Sequence, residues 1–207
     1  LVLSNALLSS LTPSEVILSS GSDIGIYGAP AINAKSLTLH TGGLNGYSGS
    51  VSGASLTADS ITLDNRNNAL LAGAGDGTSS LAFNAKTLTL GSGAYGFSGF
   101  SAVNLNASQG LTAQGNIDLK AASNLNITTP YVTAGRGTNA KIDASGYAMQ
   151  LLGTGSSAKP ASEALGARLE LTADTIVNST SIDLPSGAVT LAAKNGNLTL
   201  ASGSKMD

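Results

Sequence analysis

The chain has 207 residues, which is enough for one large domain or two small ones, and a formal net charge of −2. Only 11% of its residues are charged, less than half of the share of about a quarter that is usual in globular domains. Such a weak field offers little to nucleic acid or to an anionic membrane, so we expect neither as a partner.

The residue types indicate a folded chain without disulfides. Hydrophobic residues make up 42%, but aromatic residues only 4%, with 26 Gly and no Trp or Cys. The lack of Cys excludes disulfides and thiolate ligands, and it favours a bacterial over a eukaryotic exported protein. No run approaches the roughly 20 apolar residues of a membrane helix. The opening "LVLSNALL" lacks a basic region and a cleavage site, so we predict a mature product or an excised fragment.

A short apolar–polar–apolar triplet recurs in chain order, and it places its outer two residues on one side of a strand. The triplets lie at 37–39, 61–63, 88–90, 103–105, 117–119, 125–127, 169–171, 182–184, 189–191 and 198–200. Small polar turns such as "ASQG" and "KNGN" separate them. Two segments depart from this pattern. "SNALLSSLTPSEVIL" near the start suits a strand or a helix, and 158–168 is predicted as a short helical loop insertion.

Two longer words are repeated. "NAKSLTLHTGG" from Asn33 returns as "NAKTLTLGSGA" from Asn84, and "GYSGS" from Gly46 returns as "GFSGF" from Gly96; the offsets are 84 − 33 = 51 and 96 − 46 = 50. Short strands that return at long, fixed range are typical of stacked coils, although hairpin sheets can be built from similar pieces. At roughly 20 residues a coil, the copies would lie two or three coils apart among about ten rungs. We therefore predict an all-β fold, a parallel β-helix (β-solenoid) that runs continuously over 1–207, complete or as a piece of a longer rod.

Two segments resemble a known family. "VNLNASQGLTAQGNIDLKAASNLNI" (103–127) and "GAVTLAAKNGNLTLASG" (187–203) resemble the repeats of filamentous haemagglutinin-type exoproteins, the adhesins and contact-dependent toxin stalks of two-partner secretion. The resemblance implies a right-handed helix and a secreted or bacterial cell-surface location. It also implies adhesion to a protein or glycan on a host or neighbouring cell. The "NPNG" and "NPNL" motifs of the family's secretion domain are absent, so the chain resembles a central stalk piece or a distant relative with another export route.

Catalytic and metal-binding patterns are weak. Polysaccharide-active β-helix enzymes need paired carboxylates, whereas the acids here are scattered; Asp59 and Asp174, in the shared word "LTAD", are the pair that stacking could gather. The single histidine, His40, is expected at a solvent-facing strand end, and it has no second His or Cys for a zinc site. "GAGDGT" at 73–78 indicates a Gly-rich turn. We predict no catalytic, metal or cofactor site and no enzyme activity, with a polysaccharide-active enzyme as the least favoured alternative.

Four aromatic residues are the candidate contact site. Tyr47, Tyr95, Phe97 and Phe100 are half of the eight aromatic residues and lie within or beside the second repeated word. If exposed, they could stack on sugar rings or on a partner protein; the alternative is that they close a wide corner of the core.

Four sequons make candidate glycosylation sites at Asn106, Asn126, Asn178 and Asn197. Ladders of stacked asparagine amides compete for the same positions. The function that we expect is a structural, adhesive stalk. The alternative is a filament subunit that stacks head to tail through its open terminal rungs.

Overall fold

In a computed structural model, the chain folds as a β-solenoid of about 7 turns. The structure describes residues 14–47, 53–70, 74–155 and 164–207. These residues form parallel strands and no helix. The strands are β1 (Glu15–Ser19), β2 (Asp23–Ile26), β3 (Ala31–His40), β4 (Gly43–Gly46), β5 (Ala54–Asp64), β6 (Ser80–Leu90), β7 (Gly93–Ser98), β8 (Ala102–Ala113), β9 (Asn116–Ala121), β10 (Asn124–Thr128), β11 (Tyr131–Ala134), β12 (Asn139–Leu152), β13 (Arg168–Asn178), β14 (Ser181–Asp183), β15 (Ala188–Ala193), β16 (Leu198–Leu200) and β17 (Lys205–Met206).

Pairing between coils divides the strands into three stacks, and the longest strands continue from one stack into the next. The first stack holds β10, β16 and segments of β3, β5, β6, β8, β12 and β13. The second holds β1, β11, β14, β17 and the later halves of β3, β5, β6 and β8. The third holds β2, β4, β7, β9, β15 and the earlier halves of β12 and β13. The predicted fold class is therefore confirmed.

The first repeated word lies where the sequence predicts. Asn33 pairs with Thr57, and Thr57 pairs with Asn84, so the two copies lie two coils apart. The offset between register partners on successive coils varies from 45 − 25 = 20 to 168 − 139 = 29. Because most coils are longer than the roughly 20 residues assumed from the sequence, the expectation of about ten rungs was too high.

The second repeated word is not in register, which corrects the sequence interpretation. Gly43, and not Gly46, pairs with Gly96, an offset of 96 − 43 = 53. The cause is the segment after β5: in that coil no described residue adds a strand to the third stack, so β4 pairs directly with β7. Tyr47 and Phe97 are therefore not equivalent positions.

The core is built from columns of apolar residues in register. One column in the first stack runs through five consecutive coils, and each of its side chains is completely buried: Leu81, Val103, Leu125, Met149 and Ile176. Burying such a side chain stabilises the fold by about 1.5–3 kcal/mol. Val103 and Leu125 are first residues of predicted triplets, whereas Leu81, Met149 and Ile176 lie outside them.

The outer sides of the three stacks carry different chemistry. Asparagines line the first: Asn84, Asn104, Asn106 and Asn126. A register column of threonines lines the second: Thr38, Thr62, Thr89, Thr112 and Thr133. On the third, charges of opposite sign alternate between coils: Asp118 pairs with Lys141, which pairs with Glu170. This alternation is typical of favourable cross-strand pairs.

The predicted helical insertion is only partly covered by the structure. Residues 158–163 lie outside the described residues. Residues 164–167 form a turn in which Ala167 N donates to Ala164 O at 3.0 Å, and Arg168 begins β13. The ambiguous segment near the start ends in strand β1, and its residues up to 13 lie outside the described part of the chain.

Candidate functional site

Three of the four candidate aromatic residues are buried. Tyr95, Phe97 and Phe100 belong to the core, and Phe97 faces Phe83 with ring centroids 6.0 Å apart. The Tyr95 hydroxyl donates to Gly91 O at 3.2 Å. Burial raises the pKa of the Tyr95 phenol far above its ordinary value, and the Asp64 carboxylate adds to the shift. These three side chains close the core, as in the alternative that the sequence left open, so they offer no contact surface.

Tyr47, the fourth, lies half-buried at the surface in a pair that the sequence analysis did not identify. Its ring stacks on Tyr27, with centroids 4.7 Å apart and an angle of 10° between the planes. Tyr47 N donates to Ile26 O at 3.0 Å, which places the two tyrosines on consecutive coils. Tyr27 is 66% exposed. We call Tyr27 and Tyr47 the tyrosine pair; its only sequence signal is the spacing of one coil, 47 − 27 = 20.

Gly25 makes room for the tyrosine pair. A Cβ atom at this position would lie 3.0 Å from Tyr27 Cε2 and 3.1 Å from Tyr47 Cε2. Both ring edges therefore lie over the outer side of β2, where any other residue would place its side chain. Substitution of Gly25 would displace at least one ring.

A row of polar side chains lies beside the tyrosine pair on the outer side of the third stack. Asn45, the register partner of Gly25, donates through Nδ2 to Asp23 Oδ2 at 2.7 Å. Ser98, the register partner of Asn45, donates through Oγ to Asn45 Oδ1 at 2.7 Å. We call Asp23, Asn45 and Ser98 the polar row. Because Asn45 is held at both ends of its amide, the half-buried Asp23 carboxylate has a defined orientation.

His40 is buried, so the expectation of a solvent-facing residue was wrong. It is 3% exposed, and Nδ1 lies 2.6 Å from Oδ1 of Asp64, its register partner on the next coil. Arg66 Nη2 faces the other ring nitrogen, Nε2, at 2.5 Å. A guanidinium can only donate, so Nε2 accepts, and Nδ1 carries the proton that is donated to Asp64. We call these three residues the histidine cluster.

The histidine cluster and two neighbouring asparagines hold the segment that follows β5. Asn65 Nδ2 donates to Ala69 O at 2.9 Å and to Ala94 O at 2.6 Å, and Asn67 Nδ2 donates to Ser19 Oγ at 3.2 Å. The contact between His40 and Asp64 is like that in serine-hydrolase triads, in which Nε2 meets a nucleophilic hydroxyl. Here Nε2 meets a cation instead. The geometry therefore favours a role in holding the segment.

Stacking does not gather the two acids of the word "LTAD". Asp59 lies at the bend of β5 between the first and second stacks and pairs with Lys86 Nζ at 2.9 Å, with both side chains exposed. Asp174 lies at the bend of β13 between the third and first stacks, and its Oδ1 accepts from Gly146 N at 2.9 Å. Within the described ranges, no group of three or more His, Asp or Glu residues could hold a metal ion.

The Gly-rich word at 73–78 packs against the third stack. Residue 73 lies outside the described part of the chain. Gly77 N donates to Gly46 O at 3.1 Å, and Gly75 N donates to Ser98 Oγ at 2.9 Å. The described glycines of this word therefore sit in close backbone contact with β4 and the end of β7.

Two of the four sequon asparagines take part in amide contacts between coils. Asn106 Nδ2 donates to Asn84 Oδ1, and Asn126 Nδ2 donates to Asn104 Oδ1, both at 2.9 Å. An open groove of about 210 Å³ lies beside the first of these contacts. A glycan attached at Nδ2 would compete with these hydrogen bonds.

The other two sequons differ in accessibility. Asn178 is completely buried, and its Nδ2 donates to Ser204 Oγ at 2.8 Å, so it is inaccessible in the folded chain. Asn197 is exposed, and it stays a predicted acceptor.

Among the residues that the structure describes, no helix is long and apolar enough to cross a membrane. No protein-family model, curated protein or solved structure matches the chain.

Proposed function

We propose that this chain is a rigid, non-enzymatic stalk segment of an adhesive bacterial exoprotein that is secreted or held at the cell surface. The observation that carries the proposal is the continuous pairing of coils. In the second stack, parallel pairing runs in register from β1 to β17. The backbone hydrogen bonds of this ladder lie along the axis, and apolar columns fill its interior, so bending or stretching the rod would break many contacts at once.

The adhesive part of the proposal is supported by the family resemblance. The segment 103–127 spans all but one residue of β8 and of β10 and the whole of β9, and the segment 187–203 covers β15 and β16. Both segments thus fall on regular coils, where repeats of a stalk would belong. The partner that we propose is a protein or glycan on a host or neighbouring cell.

The stalk can be tested as a molecular ruler. Glu15 and Lys205 lie in one register column of the second stack, seven pairing steps apart, and both are exposed. The chain has no Cys, so Glu15→Cys with Lys205→Cys places two unique spin labels. At about 4.8 Å a step, pulsed electron spin resonance should give one narrow distribution of the distance between the two labels, centred at about 34 Å. A broad or bimodal distribution would contradict a rigid stalk.

Adhesion is tested separately with the same purified chain. Beads that carry the chain should bind cells under flow more strongly than bare beads do. Equal retention would reject the adhesive part of the proposal and leave the stalk to the distance measurement. Release of reducing ends from a polysaccharide by the pure chain would favour an enzyme instead.

A filament subunit that stacks head to tail through its terminal rungs is the second candidate. In the last rung, the inner-side residues Leu198, Leu200 and Met206 are exposed, and Leu200 is 53% exposed. Leu198 and Met206 follow the buried residues Ile176 and Ile182 in register, and Leu200 follows the buried residue Asn178. A second copy stacked on this rung would bury them, and so would a further coil of a longer stalk.

Electron microscopy and light scattering over a concentration series separate the two candidates. Long, uniform fibres that Leu200→Lys abolishes would favour the filament. Monomers at every concentration would favour the stalk.

A further inference from the structure

We propose that the tyrosine pair and the polar row together form a binding site for a neutral glycan built of pyranose rings. The inference rests on the adhesive function proposed above and gives it a site and a ligand class. It uses one residue that the sequence analysis singled out, Tyr47, and four that it did not.

Tyr27 is more exposed than any other aromatic residue that the structure describes. The chain has only eight aromatic residues, and Phe83, Tyr95, Phe97 and Phe100 are core residues. Tyr27 instead leaves two thirds of its surface in water, at 66% exposure. An exposed aromatic face is apolar and planar, so it suits the C–H face of a pyranose ring, whose hydroxyl groups point outward around its edge.

The exposed face of Tyr27 is held in place by a second ring. Tyr47 stacks behind Tyr27 at 4.7 Å and is nearly parallel to it, and both ring edges lie against Gly25. An isolated surface side chain loses rotamer freedom when it binds a ligand. The entropic cost to the binding free energy is about 0.5–1.5 kcal/mol for each immobilised side chain. Because Tyr27 is already held by a partner ring, it loses less of this freedom.

The polar row places a carboxylate beside the rings. Asp23 and Gly25 are two residues apart in β2, so both lie on its outer side. Gly25 has no side chain, and nothing from β2 therefore separates the Asp23 carboxylate from the tyrosine rings. Because the ring edges lie over Gly25, the strip from Asp23 to the rings spans 25 − 23 = 2 steps of the chain, about 7 Å at about 3.3 Å a step. A short sugar segment can therefore lie across this strip with one ring on Tyr27 and its hydroxyl groups near Asp23.

Charge selects the class of glycan. An ionised carboxylate only accepts hydrogen bonds, which matches the hydroxyl donors of a sugar. The same negative charge disfavours sugars that carry carboxylate or sulfate groups. The hydrogen bond from Asn45 fixes one oxygen of Asp23, so the geometry favours neutral hydroxyl-rich sugars.

The test is binding of the full chain to a panel of neutral and acidic glycans, followed by titration of the neutral glycans that bind. We expect Tyr27→Ala to weaken that binding by at least about tenfold, and Asp23→Asn to weaken it by a smaller factor. Tyr147→Ala is the matched control, because Tyr147 is also an exposed tyrosine, at 39%, and lies in β12, far along the chain from this site. It should bind as the wild type does. Circular dichroism of each variant would verify folding.

Three outcomes would overturn the site. These are no binding of any neutral glycan by the wild type, unchanged binding by a folded Tyr27→Ala variant, or an equal loss in Tyr147→Ala. A Tyr27→Ala variant that misfolds is replaced by Tyr27→Ser, which must meet the same criterion. Cell adhesion of the beads without any glycan binding would reject this site and leave the adhesive function in place. A broad spin-label distance would reject the stalk whatever the glycan result.

Discussion

The variant Asp64→Ala tests whether the histidine cluster stabilises the fold. The cluster lies directly after β5, where an irregular segment takes the place of a strand in the third stack. Asp64 accepts the Nδ1 proton of buried His40 at 2.6 Å and the backbone N–H of Arg66 at 3.3 Å. Asp64→Ala leaves the His40 N–H buried without its acceptor, which costs about 1–3 kcal/mol. We therefore expect the free energy of unfolding to fall by that amount.

The chain offers a matched control in Asp59→Ala. Asp59 also pairs with a basic side chain of a neighbouring coil, at 2.9 Å from Lys86 Nζ, but both side chains are more than half exposed. An exposed ion pair contributes about 0–1 kcal/mol. Urea unfolding followed by circular dichroism gives both values, and the rate of tryptic cleavage after Arg66 reports on the local segment. If Asp64→Ala costs no more than Asp59→Ala and leaves cleavage unchanged, the argument from burial is refuted.

Three further predictions concern packing and titration. Gly99 and Gly137 both have positive φ, 70° and 65°, but a Cβ at Gly99 would overlap Gly46 O and contact Gly75, whereas nothing lies within 4 Å at Gly137. Thermal unfolding should show Gly99→Ala about 1–3 kcal/mol less stable than Gly137→Ala, and equal losses would contradict the close contact. Burial raises the pKa of Tyr95 in the folded state, so its contribution to stability is complete below the unfolded value of 10.0 and is lost as pH rises above it. Above pH 10.0 the urea midpoint of Tyr95→Phe should fall less steeply with pH than that of the wild type. At neutral pH the variant should be about 0.5–1.5 kcal/mol less stable, because it lacks the hydrogen bond to Gly91. Parallel pH profiles of the wild type and the variant would show that the phenol does not cause the loss of stability at alkaline pH. Phe83→Ala, in register between Leu56 and Leu105, should cost about 3–5 kcal/mol in the same urea assay. Leu70→Ala, 75% exposed, should change stability by less than about 0.5 kcal/mol, and similar losses in both variants would contradict the packing argument.

The triplets predicted the core because their information is local. In "LTL" at 37–39, Leu37 and Leu39 are buried and Thr38 lies on the outer side; "ITL" at 61–63 and "LTL" at 88–90 repeat this arrangement one and two coils later. Alternation along a strand follows from backbone geometry and needs no knowledge of the rest of the chain. The same reasoning could not foresee the register of Gly43 with Gly96, because it depends on how many residues leave the third stack after β5.

The candidate sites were less predictable, because each depends on contacts between residues of different coils. His40 follows a strand triplet and has the local pattern of an exposed strand end, yet Arg66 and its neighbours fold back over it. Tyr95 and Phe97 looked like surface candidates only while their coil was considered alone. Tyr47 became part of a surface site through its stacking with Tyr27, at a distance of one coil along the chain.

The sequence by itself determined that the chain would fold as short parallel strands around an aliphatic interior. Period-two patterning, small turn residues and a long word that returns at an offset of 84 − 33 = 51 leave few other ways to bury its leucines. These signals are properties of the strand and of the repeat. Only the tertiary structure decided which aromatic residues are exposed to solvent and which acidic residue is hydrogen-bonded to the single histidine. The physical reason is that contacts between coils depend on which segments leave a stack. Where the segment after β5 adds no strand to the third stack, β4 pairs directly with β7, and its side chains acquire neighbours that strand patterning does not specify.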